Sequence, residues 1–494
     1  MSRFSKLATV YDYIDAHLNE HIQRIQECIR QPSISQTGEG ISECADLFAK
    51  YYKELGCQEV EVIDVGVTKW GSKGNPIVFG KYQAGAKKTL LVYSMYDTMP
   101  IYDAEKWHSP PFEARIVEQP PFKRVIIGRG AVNSKGPEVA FLNALMSIKA
   151  VEGELPVNLI FVAEGDEERM SMGLHKFVNE YKEELEIADA VYLHGKQDEN
   201  GVLIPWNGSE GCVYFELETS GEHWGRGPTA FSVHGLNKRW LDSPAWRHIK
   251  MLSTLVSDDG NKVLVEDWYE NIEDPTNEDL KLIEDMVRKG YNNPDLIRKR
   301  LGANVFINDV TDHKELLKMF YWSTPLNLDG IWGGRIQDPG AGSVLPYKVI
   351  SKHSCRYVPY QNGDDLVNKI RKHLDKNGFS DVKIRVIGDV PWSKSNYNNP
   401  LARAIFRMCK AFNVDYIMQP PVAAGGLGPY WPAYLFARDP LHLPICGGAI
   451  GHGGRAHAVD EYYVIDGYKN IYGLDGAEKG CATTLYYFAT LPNS

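Results

Sequence analysis

The 494-residue sequence predicts an α/β fold: a central, mostly parallel sheet covered by helices, interrupted by an inserted α+β domain. The first observation is a set of continuous apolar runs that end in polar clusters, KKTLLVYSMYD, LPVNLIFVAEGDEE and ADAVYLHG. Such runs are typical of strands that are buried on both faces. The second observation is that helical segments such as GPEVAFLNALMSIKAV alternate with these strands. Polar side chains at the ends of such strands are where open α/β sheets build their sites.

The pattern changes in the middle of the chain. The segments CVYFELETSG and SVLPYKVISKHSCRYVPYQ alternate between apolar and polar residues, as half-solvated antiparallel strands do. The α/β pattern returns at about residue 391 with the helix PLARAIFRMCKAF and the strand LHLPICG. We therefore predict one α/β domain formed by residues 1–207 and 391–494, and an inserted α+β domain of residues 208–390.

The composition is that of a globular protein, with 43% hydrophobic and 24% charged residues. A formal net charge of −10 argues against nucleic acid or an anionic membrane as a partner. No apolar run reaches the roughly 20 residues of a membrane span, and the N-terminus lacks the apolar core of a signal peptide. The eight cysteines form no CxxC pair. We therefore expect a cytoplasmic protein with reduced thiols.

Several segments, in order along the chain, resemble the M20 metallopeptidases: WHSPPFEARI, GRGAVNSKGP, FVAEGDEE, GGRAHAVDEY and VIDGY. Four more are similar to the carnosinase-like dipeptidase branch: SPAWRHI, CRYVP, PWSKSNYNNP and AAGGLGP. The resemblance implies a catalytic α/β domain interrupted by a lid domain that also dimerises. It also implies hydrolysis of peptides or N-acyl amino acids by two zinc or manganese ions, which share a bridging carboxylate and a water molecule.

Three of the five metal-ligand positions implied by the resemblance are substituted. Met95 stands at the first histidine, Asn133 at the bridging aspartate, and Gly195, with His194 beside it, at the second aspartate. A thioether suits copper(I) rather than zinc or manganese, and a neutral amide is a poor bridge. The five positions would then offer one carboxylate to two dications, whereas the family's usual ligand set offers three carboxylates. We expect no cofactor; the alternative is a single zinc or manganese ion on Glu168, His457 and His194.

The acid–base residues implied by the resemblance are retained. Glu167 matches the general base, Glu168 a ligand, Asp97 the aspartate that supports the first histidine, and His457 the last histidine. Without cations, burial and mutual repulsion would raise the carboxyl pKa values, so that one group is protonated near neutrality. The other interpretation is that EGDEE is a solvated acidic turn. We predict that Asp97, Glu167, Glu168 and His457 are catalytic.

Further site residues follow from the resemblance. Arg356 matches an arginine that holds a substrate carboxylate, although it could also be a surface residue at a strand edge. The lid domain's catalytic histidine falls best on His234, with His223 competing. The resemblance also implies that the loop AAGGLGP, residues 423–429, binds the carboxylate of a peptide. In this sequence the loop keeps its two glycines but lacks the polar residues of the family, which argues against an ordinary dipeptide substrate. The predicted substrate-binding residues are Arg356, Asn133, Met95, His194, Gly425 and Gly426.

These observations predict an M20-like hydrolase that attacks an amide-like or amino-acid-derived small molecule by metal-independent carboxylate chemistry. Two alternatives stay open: a metal-independent racemase, epimerase or lyase, and a pseudoenzyme that binds without turnover. The expected partners are a small-molecule substrate, for which a carboxylate-bearing molecule is one candidate, and a second copy of the chain, docked through the inserted domain. Neither nucleic acid nor membrane is expected.

Overall fold

The computed structural model describes residues 4–68, 71–335, 342–421 and 432–492. The chain forms two compact units: Met1–Ser209 with Lys394–Ser494, and Glu210–Ser393. The predicted glycines Gly425 and Gly426 lie outside the described residues. None of the helices that the structure describes combines the length and the apolar character that a bilayer crossing requires.

The first unit begins with three helices, and strands with three further helices follow from residue 59 onward. Its helices are α1 (Phe4–Ala16), α2 (Leu18–Arg30), α3 (Ile41–Leu55), α4 (Lys135–Glu152), α5 (Leu174–Glu180) and α6 (Lys182–Leu185). Its strands are β1 (Glu59–Ile63), β2 (Ile77–Tyr82), β3 (Thr89–Met95), β4 (Arg115–Gln119), β5 (Phe122–Ile127), β6 (Asn158–Glu164), β7 (Ala190–Leu193) and β8 (Gly208–Ser209).

The second unit follows as an antiparallel sheet with helices. Its helices are α7 (Gly221–Trp224), α8 (Pro244–Leu255), α9 (Asn277–Arg288), α10 (Pro294–Leu301), α11 (His313–Trp322) and α12 (Gly363–Lys376). Its strands are β9 (Gly211–Ser220), β10 (Val233–His234), β11 (Leu326–Trp332), β12 (Val344–Leu345), β13 (Lys348–Tyr357) and β14 (Lys383–Val390), and β15 (Ser393–Lys394) returns the chain to the first unit.

The first unit is completed by the C-terminal part of the chain. Its helices are α13 (Pro400–Ala411), α14 (Tyr434–Ala437) and α15 (Leu474–Thr490), and its strands are β16 (Ile445–Gly447), β17 (Gly453–Gly454) and β18 (Tyr462–Val464).

The main sheet of the first unit has the strand order β1-β2-β6-β3-β7-β16. Strands β6, β3, β7 and β16 run parallel, while β1 and β2 pair antiparallel at one edge. Leu90 and Val92 of β3 pack into a core with helices α2, α3, α4, α13 and α15. Leu91 and Tyr93 pack into a second core with α5 and α14 on the other face. Burial on both faces explains the continuous apolar runs and confirms the predicted α/β class.

A smaller antiparallel sheet in the same unit has the order β17-β18-β5-β4. It carries two turns that matter for the site: residues 128–134 follow β5, and residues 455–461 precede β18. The second unit has a four-stranded sheet of order β11-β13-β9-β14, in which β13 alternates strictly between partly exposed and buried residues. This is the half-solvated pattern that the sequence predicts, and it confirms the inserted α+β architecture.

A buried polar network joins the N-terminal helices to α4 and α15. Asn143 Oδ1 accepts a hydrogen bond from Arg24 at 2.5 Å, and its Nδ2 donates to Glu478 Oε1 at 2.9 Å. Nδ1 of His21 lies 2.6 Å from the other oxygen of Glu478. Glu478 and Asn143 are fully buried, so each of these contacts replaces a lost contact with water.

We expect the substitution Asn143→Ala to destabilise the protein by about 2–4 kcal/mol, because it leaves a buried carboxylate oxygen and a guanidinium without partners. Urea unfolding monitored by circular dichroism measures the change. The matched control is Asn179→Ala, which removes an exposed side chain that bonds only within its own helix. Equal midpoints for both variants would contradict the role given to the network.

Candidate active site

The ends of β3 and β6 bring the acidic residues together. Met95 pairs in register with Glu164 across the two parallel strands. Asp97, two residues beyond β3, is fully buried and accepts backbone hydrogen bonds from Glu167 at 3.1 Å and from Glu168 at 3.0 Å. These two hydrogen bonds hold the turn after β6 in place. Asp97, which follows the neighbouring strand β3, therefore positions both glutamates.

Burial dominates the electrostatics of this cluster. Burial, together with the nearby charges of Glu168 and Asp166, raises the pKa of Asp97 to about 8. Burial and the charges of Glu168 and Asp97 raise the pKa of Glu167 well above its usual range. Asp97 therefore carries its proton near neutrality, which is the state that a general acid needs, and the pKa of Glu167 is shifted in the same direction.

His457 and Glu168 contact each other directly at the mouth of the cluster. His457 Nε2 lies 2.8 Å from Glu168 Oε1, and Asn133 Nδ2 donates to the same oxygen at 2.9 Å. Asn133 Nδ2 also lies 3.0 Å from His457 Nε2. The hydrogen bond with Glu168 raises the pKa of His457, because the carboxylate stabilises the imidazolium. The imidazole, the amide and one carboxylate oxygen thus form a closed triangle.

Two residues to which the sequence analysis gave no role hold this triangle in place. The buried carboxylate of Glu461 accepts backbone hydrogen bonds from Val132 at 3.0 Å and from Asn133 at 2.9 Å. Arg129 donates to Glu461 at 2.8 Å and to the backbone oxygen of His457 at 3.3 Å. Both lie inside the motifs GRGAVNSKGP and GGRAHAVDEY. The sequence marks these two only as charged residues, Arg129 in the first motif and Glu461 in the second, to which the predicted reaction assigns no role.

His194 lies away from the triangle. It follows β7, packs edge-on against Phe141 and Tyr192, and its Nε2 lies 3.3 Å from Ser94 Oγ. Its Nδ1 is buried without a hydrogen-bond partner, and burial lowers the pKa of His194 to about 3. The imidazole is therefore neutral at physiological pH.

The structure allows a test of whether these residues fit a pair of metal ions. A Cβ atom at Gly195 would lie 2.7 Å from the Cα of Gly448 and 2.9 Å from the backbone nitrogen of Ala449, closer than real Cβ contacts allow. A carboxylate at this position would require the backbone of residues 448–449 to move. Across the described ranges, His, Cys, Asp and Glu side chains nowhere form a group of three or more arranged to hold a metal. The residues present do not fit two hard dications.

The remaining predicted residues belong to the second unit. Arg356 on β13 lies 3.2 Å from Glu210 Oε1 and keeps about a third of its side chain exposed. His234 is exposed, and its Nδ1 accepts the backbone N–H of Leu236 at 3.1 Å. His223 lies 2.8 Å from Ser220 Oγ. The roles given to Arg356 and His234 in substrate binding and catalysis stay predictions.

We expect the protein to be more stable at pH 5 than at pH 8. The folded state keeps the Asp97 proton up to about pH 8, whereas the unfolded chain releases it near pH 4, so stability falls as the pH rises through this window. Between pH 5 and pH 8, the shift of Asp97 alone corresponds to at most about 4 kcal/mol. Urea unfolding at the two pH values measures the difference.

The variant Asp97→Asn, which has no proton to release, should show a clearly smaller difference between pH 5 and pH 8. Asp64→Asn, which changes an exposed carboxylate, should keep the wild-type difference. A wild-type protein that is equally stable at both pH values would show that Asp97 titrates normally.

Comparisons with known proteins agree with the architecture. Residues 91–473 match peptidase family M20/M25/M40. The chain is 27% identical to the Cys-Gly metallodipeptidase DUG1 of Candida albicans, covering 94% of this chain and 95% of the relative. It is 26% identical to the Beta-Ala-His dipeptidase of Mus musculus, covering 82% of each.

A solved structure, the M20 family metallo-carboxypeptidase Sso-CP2 from Sulfolobus solfataricus, superimposes with a TM-score of 0.82 at 26% identity. The match covers 96% of this chain and 100% of that one. Since the family match spans more than half of the sequence and the fold agrees over nearly all of it, the chain belongs to peptidase family M20/M25/M40.

Proposed function

We propose that this chain hydrolyses an amide-like bond in a small, amino-acid-derived molecule by carboxylate and imidazole chemistry, without two metal ions. The triangle of Glu168, His457 and Asn133 carries the proposal. Asn133 contacts both Glu168 and His457 through its side-chain amide. The amide is neutral, so it supplies none of the negative charge with which a bridging carboxylate would attract two cations.

The raised carboxyl pKa values supply the acid–base chemistry. When Glu167 is ionised, its buried carboxylate is a strong base, and it takes a proton from the attacking water. The water oxygen then bonds to the carbonyl carbon, and Glu167 returns the proton to the leaving nitrogen as the carbon–nitrogen bond breaks. His457, whose protonated form Glu168 stabilises, offsets the negative charge that develops on the carbonyl oxygen.

Proton transfer at a carbon next to a carbonyl is the second candidate. It is favoured by one observation: Asp97 and Glu167 both have raised pKa values, as a racemase or lyase needs when one group accepts a proton and another donates one. The two reactions differ in whether the carbon–nitrogen bond is cut or a carbon-bound hydrogen is exchanged.

We also propose that the chain works as a homodimer in the cytoplasm on a substrate that bears a carboxylate. The second unit exposes large apolar side chains, among them Trp240, Trp246, Ile249 and Trp332, which supports association between copies. Arg356 is a suitable donor for a carboxylate. All eight cysteines are free thiols, which supports a reducing compartment.

Metal content and chelator sensitivity test the proposal. We expect far less than one equivalent of zinc or manganese per purified chain, and activity on a panel of dipeptides and N-acyl amino acids that survives EDTA. Two tightly bound equivalents, with activity lost on chelation and restored by metal, would overturn the metal-free mechanism while leaving the hydrolase assignment standing.

The variant Glu167→Gln should lower kcat by about 10²–10⁴-fold, because it removes the proposed general base. Glu183→Gln, on the short helix α6, is the control and should keep wild-type kcat. Wild-type kcat/KM should rise with pH as Glu167 loses its proton, at a pH above the usual range of a glutamate because burial and the neighbouring carboxylates raise its pKa. An unchanged kcat in Glu167→Gln would exclude Glu167 as the base.

Deuterium exchange separates the two candidate reactions. In heavy water, hydrolysis leaves the α-carbon hydrogen of an N-acyl amino acid in place, whereas a racemase or lyase replaces or removes it. We expect no exchange at the α-carbon while amine and acid accumulate. Exchange without cleavage, measured by proton NMR, would favour the second candidate.

A further inference from the structure

The backbone N–H of Met95 lies at a gap in the main sheet. The next residue, Tyr96, donates its N–H to the backbone oxygen of Glu164 on β6 at 2.9 Å. Because the backbone N–H groups of successive strand residues point to opposite sides of the strand, the N–H of Met95 points toward β7. The pairing of β3 with β7 ends two residues earlier, at Tyr93 and Leu193. Strand β7 therefore ends before it could accept this N–H.

The chain after β7 turns toward β16 and away from β3. If the register continued, Gly195 would lie opposite Met95. Instead, a Cβ atom at Gly195 would lie 2.7 Å from the Cα of Gly448, whose N–H donates to the backbone oxygen of Leu193 at 3.2 Å. Met95 is buried, and a buried backbone N–H without an acceptor costs free energy comparable to a lost hydrogen bond. The end of β3 therefore needs an acceptor from another part of the fold.

The side chain of Glu138 supplies this acceptor. Its Oε1 accepts the N–H of Met95 at 2.7 Å, and the residue is only 2% exposed. The carboxyl oxygen thus takes the place that a backbone carbonyl of a longer β7 would occupy. Among the described residues, the second oxygen of Glu138, Oε2, is buried without a hydrogen-bond partner. The hydrogen bond from Met95 is therefore the contact that holds this carboxyl group.

Glu138 connects two segments of the candidate site. It lies in the first turn of α4, which begins directly after the turn of residues 128–134. That turn carries Asn133, and the chain beyond Met95 carries Asp97. One buried hydrogen bond therefore joins the start of the helix that follows Asn133 to the end of the strand that precedes Asp97.

Both segments contact Glu168. Asp97 accepts the backbone N–H of Glu168 at 3.0 Å, and the side-chain amide of Asn133 lies 2.9 Å from Glu168 Oε1. The backbone of Glu168 is thus held from the β3 side, and its carboxylate is held from the α4 side. The separation of these two anchors is set where α4 meets β3, which is the contact of Glu138 with Met95.

We propose that Glu138 is a positioning residue that sets the spacing between Asp97 and Asn133 and thereby places the Glu168 carboxylate. It acts through the backbone of Met95. An oxygen acceptor is required at this position, so glutamine can replace glutamate whereas an apolar residue cannot. The expected effect on turnover rests on the hydrolysis proposed above, whereas the expected effect on the backbone does not.

Hydrogen–deuterium exchange of the full-length chain, read by mass spectrometry of overlapping peptides, tests the proposal without a substrate. In the wild-type protein, the amide of Met95 should exchange as slowly as the amides in the middle of β3. Glu138→Leu removes the acceptor and should speed exchange at Met95, Glu167 and Glu168 by at least about tenfold. Glu138→Gln keeps an acceptor oxygen and should keep the wild-type rates.

Ser147→Ala is the matched control. It changes another buried polar residue of α4, whose hydroxyl donates to the backbone oxygen of Asn143 in the same helix at 2.8 Å. It should leave exchange at Met95 unchanged, and peptides from β9 in the second unit should be unchanged in every variant. Fast exchange at Met95 in the wild-type protein would overturn the proposal, even if Glu138→Leu does not fold. So would equal rates in the leucine and glutamine variants, or faster exchange spread over the whole chain.

Turnover provides a second measurement. Glu138→Leu should lower kcat by at least about tenfold, because Glu168 is misplaced, and should change KM by less than about threefold. Glu138→Gln should keep kcat close to the wild-type value. A wild-type protein without hydrolysis would contradict the proposed function, and the exchange rates would still decide the role of Glu138. Equal kcat for the wild-type protein and Glu138→Leu would show that Glu138 does not position the site.

Discussion

The Asp97 carboxyl group links the end of strand β3 to the turn after β6, and the geometry of the candidate site depends on this link. Two backbone N–H groups favour its charged form, whereas burial and neighbouring carboxylates favour its neutral form. Burial prevails, so a proton is held at the centre of the cluster. The same hydrogen bonds that position Glu167 and Glu168 therefore also bring their charges close to a third carboxyl group.

Positive charge near the cluster is engaged elsewhere. Arg129 pairs with the buried Glu461, and Lys135 donates to the backbone oxygens of Cys28 and Gln31. Neither ammonium nor guanidinium neutralises Asp97 or Glu167, which explains why burial raises their pKa values so strongly. The site belongs to a family whose named relatives include metallodipeptidases, yet Asn133, Glu168 and His457 contact one another directly. The chemistry proposed above depends on these contacts and on the raised pKa values of Asp97 and Glu167.

Much of the fold could be predicted because burial leaves a direct pattern in the sequence. The runs ending at Met95 and Glu164 are apolar on both faces, and they form neighbouring parallel strands. Asp97, Glu167 and Glu168 were identified through the family resemblance, and their positions after parallel strands agree with the edge at which such sheets build their sites. The part played by Glu461 could not, since it holds residues about 330 positions away in the sequence.

The orientation of side chains at strand ends was equally hidden. His194 follows its strand as a ligand would, but it turns into the core against Phe141 and Tyr192. The spacing of residues in the sequence predicts where the strand ends. It does not predict the direction in which the imidazole ring of His194 points. The contacts of Asn133 with Glu168 and His457 could not be predicted either. The sequence shows that a neutral amide occupies this position, but it does not show which groups the amide contacts.

Gly195 limits which residues the segment after β7 can carry. The backbone of Gly448 and Ala449 occupies the volume that a Cβ atom at position 195 would need. A substitution at Met95 or Asn133 exchanges one side chain for another, whereas any substitution of Gly195 must first separate two backbone segments. Position 195 is therefore expected to tolerate fewer residue types than positions 95 and 133.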